Sequence, residues 1–144
     1  MDTNLRSVDF LNFGNDGSYA KKLVKSRAKT ELDEVAVCGT GCIGDHPIYI
    51  AVMDFRFMGV SMGSAVGKKI TRLVETATAR RLPLLIAMAT GGGARRQKGA
   101  LSLMQMAKMS GVLMSHDETG LPYIALLTNP TTDRRRDGEF RLSR

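Results

Sequence analysis

The sequence predicts an α/β domain in which parallel strands alternate with helices. Two apolar runs with the length of buried strands, residues 48–53 and 82–89, are each followed by glycines and then by a segment with helical spacing. A third apolar run, residues 120–128, follows the second of these segments. Strands, glycine turns and helices in this alternation are typical of parallel strands joined by right-handed crossover helices.

The first residues predict an irregular arm and a basic helix. Residues 1–17 are polar and rich in Gly, Asn and Asp, a composition that favours irregular structure. A helix is expected over residues 18–29, because apolar residues recur on one side of an otherwise basic segment. That apolar side contains Tyr19, Leu23 and Val24.

The next segment predicts short strands. Over residues 35–43 the apolar period changes from helical to strand-like, and Gly39 and Gly41 are expected to break the segment into short strands. A turn is expected at Gly44–Asp45, before the first apolar run. The alternating residues 54–58 are expected to continue or to follow the strand formed by that run.

Two helices of different character are expected in the second half of the chain. Residues 64–81 carry one apolar stripe, in which apolar residues recur at spacings of three and four. Residues 98–115 are apolar almost all round and rich in methionine, which predicts that most of the circumference of this helix is covered. Both helices are expected to pack against a sheet that contains the three apolar runs.

The glycines between the second apolar run and the second of these helices form the main candidate site. The segment Gly91-Gly-Gly-Ala-Arg95 directly follows a predicted strand. Without side chains, its backbone N–H groups at a helix N-terminus can approach a ligand oxygen closely. Such a site could hold a phosphate or the oxyanion that develops on a carbonyl during acyl or enolate chemistry. The alternative is a tight strand-to-helix turn that serves packing.

Composition and charge argue against several classes of protein. The chain has 144 residues, a net charge of +7, 6% aromatic residues and no tryptophan, which leaves little equipment for stacking nucleic-acid bases. No apolar run approaches the roughly 20 residues of a membrane span, and the N-terminus lacks the pattern of a signal peptide. Cys38 and Cys42 have no second pair at a zinc-binding spacing. We expect one intracellular domain with free thiols and no metal site.

The common nucleotide-binding and hydrolase motifs are absent. The glycines at 91–93 match neither phosphate-loop spacing, and Ser61 lacks the glycine frame of a nucleophile elbow. His116 is expected at a helix end beside Asp117, where a surface role is favoured. What remains is a site of backbone donors, which stabilises charge without a nucleophile or a base of its own.

Four motifs carry a resemblance to a known family. They are Val52–Gly67, Gly91–Gln97, Ser102–Lys108 and Leu126–Thr132. In this order they closely resemble the carboxyltransferase β subunit of bacterial and plastid acetyl-CoA carboxylase, and the similarity is continuous over about 19–132. It is nearest to the cyanobacterial or plastid members of the family.

The resemblance implies both a fold and an activity. The implied fold is a crotonase-like spiral of repeated ββα units, incomplete in this chain. Members of the family transfer a carboxyl group from carboxybiotin to acetyl-CoA and form malonyl-CoA for fatty-acid synthesis. Gly92 and Gly93 match the family's Gly-Gly and would donate backbone hydrogen bonds to the thioester enolate. By the same resemblance, the acyl-CoA side of the site contains Gly59, Ser61, Gly63, Ala94 and Arg95.

Domain boundaries, partners and a location follow from the same resemblance. Residues 1–17 are the arm, 18–132 a partial carboxyltransferase domain and 133–144 a basic, disordered tail. The implied partners are the carboxyltransferase α subunit and a biotin carboxyl carrier protein in a hetero-oligomer, with acetyl-CoA and malonyl-CoA as substrates and biotin on the carrier. The family's four-cysteine zinc ribbon has no counterpart here, so no zinc is expected. The expected location is the bacterial cytoplasm or the plastid stroma.

Five positions near the glycine turns depart from the family pattern. Lys68 and Lys98 stand where the family has glutamates. Val60 stands in place of a glycine, Gly91 in place of a serine and Arg96 in place of a methionine.

Three functions remain open from the sequence. The first is a carboxyltransferase β subunit with impaired activity, and the second is a non-catalytic paralogue that binds an α-type subunit or coenzyme A. The third, a basic protein that contacts nucleic acid, is not favoured by the composition. Because the second half of the family's fold is not present, we expect no activity from this chain alone. We also expect uncovered apolar surface on the helix at 98–115 and an unpaired edge beside the strand at 121–128.

Overall fold

The computed structural model describes residues 5–6, 18–54, 56–57, 63–88, 100–128 and 140–142. Three helices and five strands lie in these ranges. In chain order they are α1 (Ser18–Thr30), β1 (Ala36–Ile43), β2 (His46–Met53), α2 (Ser64–Arg80), β3 (Leu84–Met88), α3 (Ala100–Asp117), β4 (Tyr123–Leu127) and β5 (Phe140–Leu142).

The five strands form one sheet in chain order. β1 and β2 form an antiparallel hairpin around the predicted turn at Gly44–Asp45, and β2, β3 and β4 are parallel. These three strands correspond to the three apolar runs, so the predicted parallel sheet is confirmed. α2 and α3 are the crossover connections between them.

Two residues with left-handed backbone end the crossover helices. Arg81, with a φ of 52°, follows α2, and its N–H bonds back to the carbonyls of Ala77 and Thr78. Gly120, with a φ of 70°, follows α3, and its N–H donates to the carbonyl of Asp117 at 2.8 Å. Glycine adopts this backbone freely, whereas an L-residue such as Arg81 pays roughly 1–2 kcal/mol for it.

The core lies between α2 and one face of the sheet. Ile70, Leu73 and Val74 of α2 are completely buried. They share one apolar cluster with Ala51 of β2 and Ile86 of β3. Since alternate residues of a strand point to the same face, one row from each strand meets the apolar stripe of α2. The stripe predicted for 64–81 is therefore confirmed.

α1 spans Ser18–Thr30, close to its predicted bounds. Leu23 is 3% exposed and belongs to the core cluster, whereas Val24 is 64% exposed. Adjacent residues of a helix point about 100° apart, and in α1 it is Leu23 that points into the core while Val24 points to solvent. The assignment of Val24 to the apolar side is wrong.

The hairpin differs from the prediction in one respect. β1 runs unbroken through Gly39 and Gly41, because every one of its residues pairs with a residue of β2. β2 ends at Met53, so of the two expected alternatives residues 54–58 follow the strand rather than continue it. Phe57 is completely buried and its N–H donates to the carbonyl of Asp54 at 3.1 Å, which turns the chain at this point.

α3 is covered less than its sequence predicts. It packs chiefly against α2, and the side chains on that side are half-buried: Met109, Val112 and Leu113. Met104, Met106 and Met114 are 62%, 53% and 67% exposed. The prediction that most of its circumference is covered is wrong, because one neighbouring helix cannot cover a helix that is apolar all round. The predicted uncovered apolar surface on this helix is confirmed.

β5 corrects two expectations about the end of the chain. Phe140–Leu142 pairs antiparallel with Ile124–Leu126 of β4. The expected disorder of 133–144 is therefore wrong for these three residues, and β4 is not unpaired beside them. An apolar, polar, apolar alternation such as Phe-Arg-Leu favours a strand once a partner is available. Residues 129–139 and 143–144 lie outside the described ranges.

Candidate functional site

The candidate site is the edge of the sheet at which the parallel strands end. β2, β3 and β4 run in the same direction, and the register pairs Val52 with Ala87 and Met88 with Leu127. Their carboxyl ends therefore lie side by side. In the chain, the glycines at 91–93 follow β3, and the segment that leads into α2 follows β2. Ligands of open α/β sheets bind at the carboxyl ends of the strands. Both glycine segments thus start from one edge.

α2 and α3 lie side by side and both begin at this edge. Near their beginnings, the backbone of Gly67 lies against the side chain of Gln105, so closely that a Cβ at Gly67 would lie 2.8 Å from the Cβ of Gln105. Near their ends, Thr78 Oγ1 lies 2.9 Å from His116 Nδ1. Gly67 and Thr78 are separated by the same number of residues in α2 as Gln105 and His116 are in α3. Because both contacts follow the chain direction in each helix, the two helices run parallel. The positive ends of the two helix dipoles point to the same edge of the sheet.

The beginnings of these helices carry no neutralising charge. Neither α2 nor α3 has an acidic residue in its first turn. Gly63, which precedes α2, is buried and extended, with φ of −122° and ψ of 174°. Because glycine has no side chain that could cap the helix, the first N–H groups of α2 receive no side-chain acceptor from this position. Such a helix end favours an anionic ligand.

A short turn holds the chain that leads from β2 toward α2. Arg56 binds both carboxylate oxygens of Asp54, with Nε 3.0 Å from Oδ1 and a terminal guanidinium nitrogen 2.6 Å from Oδ2. This hydrogen-bonded pair holds the pKa of Asp54 below its ordinary range and raises the pKa of Arg56. Since Asp54 neutralises it, Arg56 is not a free cation for a phosphate group.

Two buried charged residues near this edge were missed by the sequence reasoning. Lys69 of α2 is 5% exposed, and its Nζ donates to the carbonyl of Ala36 at 3.2 Å. Ala36 pairs with Met53, the last residue of β2. Glu34 is 1% exposed and accepts a hydrogen bond from the N–H of Val35. A lysine inside an otherwise apolar helical stripe is the signal that would have identified Lys69.

His116 is not at the surface, contrary to the sequence prediction. It is completely buried, with Nδ1 facing Thr78 Oγ1. The hydroxyl of Thr78 donates to the carbonyl of Val74 at 2.8 Å, so the Nδ1–H of His116 is the donor in the contact with Thr78. Its Nε2 has no partner in the part of the chain that the structure describes. The imidazole joins the far ends of α2 and α3, so its place is structural.

Of the predicted site residues, the structure describes Gly63. It lies at the predicted edge, directly before α2. The remaining predicted site residues lie outside the described residues, and their roles stay predictions: Gly59, Ser61, Gly92, Gly93, Ala94 and Arg95. Four of the five positions that depart from the family pattern also lie outside the described residues, whereas Lys68 is described and exposed: the four are Val60, Gly91, Arg96 and Lys98.

The described residues offer no further ligand-binding cluster of a familiar kind. Among them, no three His, Cys, Asp or Glu side chains are grouped in a way that could hold a metal ion. The side chain of Cys38 is buried, that of Cys42 is exposed, and neither forms a disulfide. None of the helices that the structure describes has the length and apolar character needed to cross a membrane.

Comparison with known sequences identifies a family. Residues 5–133 match the model of the carboxyl transferase domain. Over 132 residues the chain is 55% identical to the acetyl-coenzyme A carboxylase carboxyl transferase subunit beta of Synechococcus sp. strain RCC307. This alignment covers 92% of the chain and 45% of the relative, so the chain spans less than half the length of that protein.

Two solved structures share the fold. Transcarboxylase 12S, solved as a hexamer assembly with hydrolysed methylmalonyl-coenzyme A bound, matches with a TM-score of 0.60 and 33% identity over 65% of this chain and 18% of its own. A malonate decarboxylase hetero-dimer from Pseudomonas matches with a TM-score of 0.61 and 27% identity over 69% of this chain and 45% of its own. Both resemblances confirm the predicted crotonase-like fold.

Proposed function

The chain belongs to the carboxyl transferase domain family, and from this membership we propose that it acts as a carboxyltransferase β subunit of acetyl-CoA carboxylase. In this role it would hold acetyl-CoA while a carboxyl group is transferred to it from carboxybiotin, which gives malonyl-CoA for fatty-acid synthesis.

The observation that supports this proposal is the shared edge of β2 and β3, where α2 and α3 both begin. Removing a proton from the methyl carbon of a thioester produces an enolate, whose negative charge develops on oxygen. Backbone N–H groups at a helix N-terminus stabilise such an oxyanion. The absence of acidic residues from the first turns of both helices suits this charge.

The resemblance to the family supplies the proposed role of each residue. Gly92 and Gly93 would donate N–H groups to the enolate oxygen. The acyl-CoA side would be formed by Gly59, Ser61, Gly63, Ala94 and Arg95. The enolate carbon would form its new bond to the carboxyl carbon as the bond from that carbon to the biotin nitrogen breaks. In this reaction acetyl-CoA would lose one proton and biotin would gain one, so the protons balance.

Partners complete the proposed reaction. The carboxyltransferase α subunit would supply the carboxybiotin side of the site, and a biotin carboxyl carrier protein would deliver the biotin. Malonate decarboxylase, a structural neighbour, is solved both as a hetero-dimer and as a hetero-tetramer. We place the reaction in the bacterial cytoplasm or the plastid stroma, the location implied by the family.

The proposal is tested with the purified 144-residue chain. Calorimetry with acetyl-CoA should show binding by the chain alone. Malonyl-CoA formation should need the α subunit of the Synechococcus relative together with a carboxylated biotin carrier. Turnover by the chain alone, or no binding of acetyl-CoA, would overturn the proposal. Binding of acetyl-CoA or of the α subunit without any turnover would instead establish a non-catalytic paralogue.

A pair of glycine variants tests the oxyanion role. Gly93→Val keeps the backbone N–H but adds a β-branched side chain where the thioester oxygen would have to approach it. Turnover should fall by roughly 100-fold if the N–H no longer reaches the oxyanion. The substitution should weaken acetyl-CoA binding far less. Gly111→Val is the matched control, since a Cβ at this position of α3 meets nothing within 4 Å. Equal losses of turnover in the two variants would contradict the assigned role.

A further inference from the structure

Lys69, in the second turn of α2, is a buried lysine that the proposed reaction does not use. It is 5% exposed, whereas the adjacent Lys68 is exposed and the adjacent Ile70 is completely buried. Lysine is rarely buried in this way, because its amino group loses favourable contacts with water. Its Nζ atom donates to the carbonyl of Ala36 at 3.2 Å. An apolar residue would also continue the stripe of α2, so this hydrogen bond is what lysine adds at the position.

The carbonyl of Ala36 faces away from the rest of the sheet. The N–H of Asp54 donates to the carbonyl of Val35 at 3.0 Å, so Val35 and Asp54 form a hydrogen-bonded pair of the antiparallel hairpin. Such pairs alternate with pairs that exchange no hydrogen bonds, and the next pair is Ala36 with Met53. β1 is also the first strand in the order of the sheet. The Ala36 carbonyl therefore receives no hydrogen bond from a described strand, and Lys69 supplies its donor.

This hydrogen bond lies at the edge of the sheet that forms the candidate site. Met53, the partner of Ala36, is the last residue of β2. Gly63 directly precedes α2, and the rise from Gly63 to Lys69 along the helix is roughly 9 Å. Lys69 thus fixes the beginning of α2 against the hairpin, at the level where β2 ends.

A second contact fixes the beginning of α2 from another direction. Gly67 lies against Gln105 of α3. Residues two apart on a helix point roughly 200° apart, so Gly67 and Lys69 hold α2 from nearly opposite sides. The hydrogen bond of Lys69 adds a preferred distance and direction that packing alone does not impose. Together the two contacts determine where the first N–H groups of α2 lie relative to the edge.

We propose that Lys69 is a positioning residue of the acyl-CoA site: its hydrogen bond to Ala36 holds the first N–H groups of α2 where they meet an anionic group of the ligand. The proposal rests on the proposed function, which assigns an acyl-CoA ligand to this edge. In this role Lys69 acts through α2 and does not touch the ligand. A positioning residue sets the affinity of the folded protein for the ligand, whereas a hydrogen bond that only stabilises the fold changes the folded fraction and leaves that affinity unchanged.

The test measures the affinity of the 144-residue chain for acetyl-CoA by titration calorimetry, under conditions in which circular dichroism shows each variant to be folded. Lys69→Met keeps a long side chain and removes the donor. It should weaken binding at least about fivefold, which is the size of the contribution that a helix N-terminus makes to holding an anion. Lys69→Arg keeps a donor and should recover most of the affinity.

Two control variants separate this role from the effects of charge and of stability. Lys68→Met removes the same charge from the adjacent, exposed position and should change the affinity less than about twofold at roughly 0.15 M salt, because exposed charges are screened. Leu73→Ala opens a cavity in the core on the same helix. It should lower the stability at least as much as Lys69→Met does, yet leave the affinity of the folded chain unchanged.

A second measurement needs no variant. In the unmodified chain, acetyl-CoA should shift the amide NMR signals at the beginning of α2 and that of Val37, whose nitrogen shares a peptide group with the Ala36 carbonyl. The amide signal of Gly111, at an exposed position of α3, should not shift. Three results would overturn the role of Lys69 alone: an affinity that Lys69→Met leaves unchanged, an equal loss in either control variant, or no shift at Val37. Failure of the unmodified chain to bind acetyl-CoA would overturn the proposed function, and the role of Lys69 with it.

Discussion

α2 and α3 follow neighbouring parallel strands and run side by side, yet they differ in how the chain covers them. α2 buries nine of its 17 residues, among them Ile70 and Leu73. Over 104–117, α3 has a single buried residue, His116, although its sequence is the more apolar of the two. A helix with one apolar stripe, such as α2, is covered by packing that stripe on the adjacent sheet. A helix that is apolar all round, such as α3, needs neighbours on several sides to be covered. α3 has one, α2.

The largest effect is expected when one large apolar side chain is truncated in each helix. Leu73 of α2 is completely buried, and Met104 of α3 is 62% exposed. Leu73→Ala should lower the free energy of unfolding by about 2–5 kcal/mol, because it loses transfer energy and leaves a cavity. Met104→Ala should change it by less than about 0.5 kcal/mol. Urea denaturation of both variants measures the contrast, and similar losses would show that α3 is covered as fully as α2.

A smaller effect is expected where the two helices approach each other. Gly67 of α2 has no room for a Cβ, since that atom would lie 2.8 Å from the Cβ of Gln105. Gly67→Ala should therefore destabilise the fold by about 1–2 kcal/mol, as overpacking exceeds the gain in helix propensity. Gly111→Ala on α3 meets nothing within 4 Å and should stabilise by about 0.5–1 kcal/mol. Thermal melting should show shifts of opposite sign, and shifts of the same sign would refute the close contact.

The polar link at the far end of the same interface gives a third contrast. Thr78→Val removes the hydroxyl that accepts a hydrogen bond from His116, whose buried Nδ1–H then has no acceptor. The expected cost is about 1–2 kcal/mol. Thr76→Val is the control: its hydroxyl also donates within α2, to the carbonyl of Arg72 at 2.6 Å, but reaches no other helix. Urea midpoints that fall equally in both variants would mean that the link to α3 contributes nothing.

The parts of the fold that local pattern decides could be predicted from the sequence. The parallel strands, the hairpin turn at Gly44–Asp45 and the stripe of α2 all follow from apolar spacing and turn residues. The continuity of β1 through Gly39 and Gly41 could not, because glycine is a weak strand former and pairing with β2 overrides that preference.

The errors have a common physical origin. Burial of His116 and exposure of Met104 depend on which neighbour lies beside α3, and periodicity along one helix carries no information about neighbours. The pairing of β5 with β4 depends on residues distant in sequence. For the site, the resemblance to a family predicts Gly63 among other residues, and that role stays a prediction. The buried side chain of Lys69 became visible only through its contact with Ala36.

The smallest effect on stability is expected for the pair of Asp54 and Arg56, in the turn that leads toward α2. Arg56 holds the pKa of Asp54 below its ordinary value of 3.8, so ionised Asp54 stabilises the fold. That contribution is complete above the unfolded-state value and is lost as pH falls through the lower folded-state value. Because the Arg56 side chain is 66% exposed and solvent screens its charge, Asp54→Asn should cost less than about 0.5 kcal/mol at pH 7. Urea midpoints of the variant and the unmodified chain should converge below pH 3.8. Asp45→Asn changes the same residue type in the exposed hairpin turn and is the control at pH 7, where an equal loss in both variants would show that the contact with Arg56 is not the source of the effect.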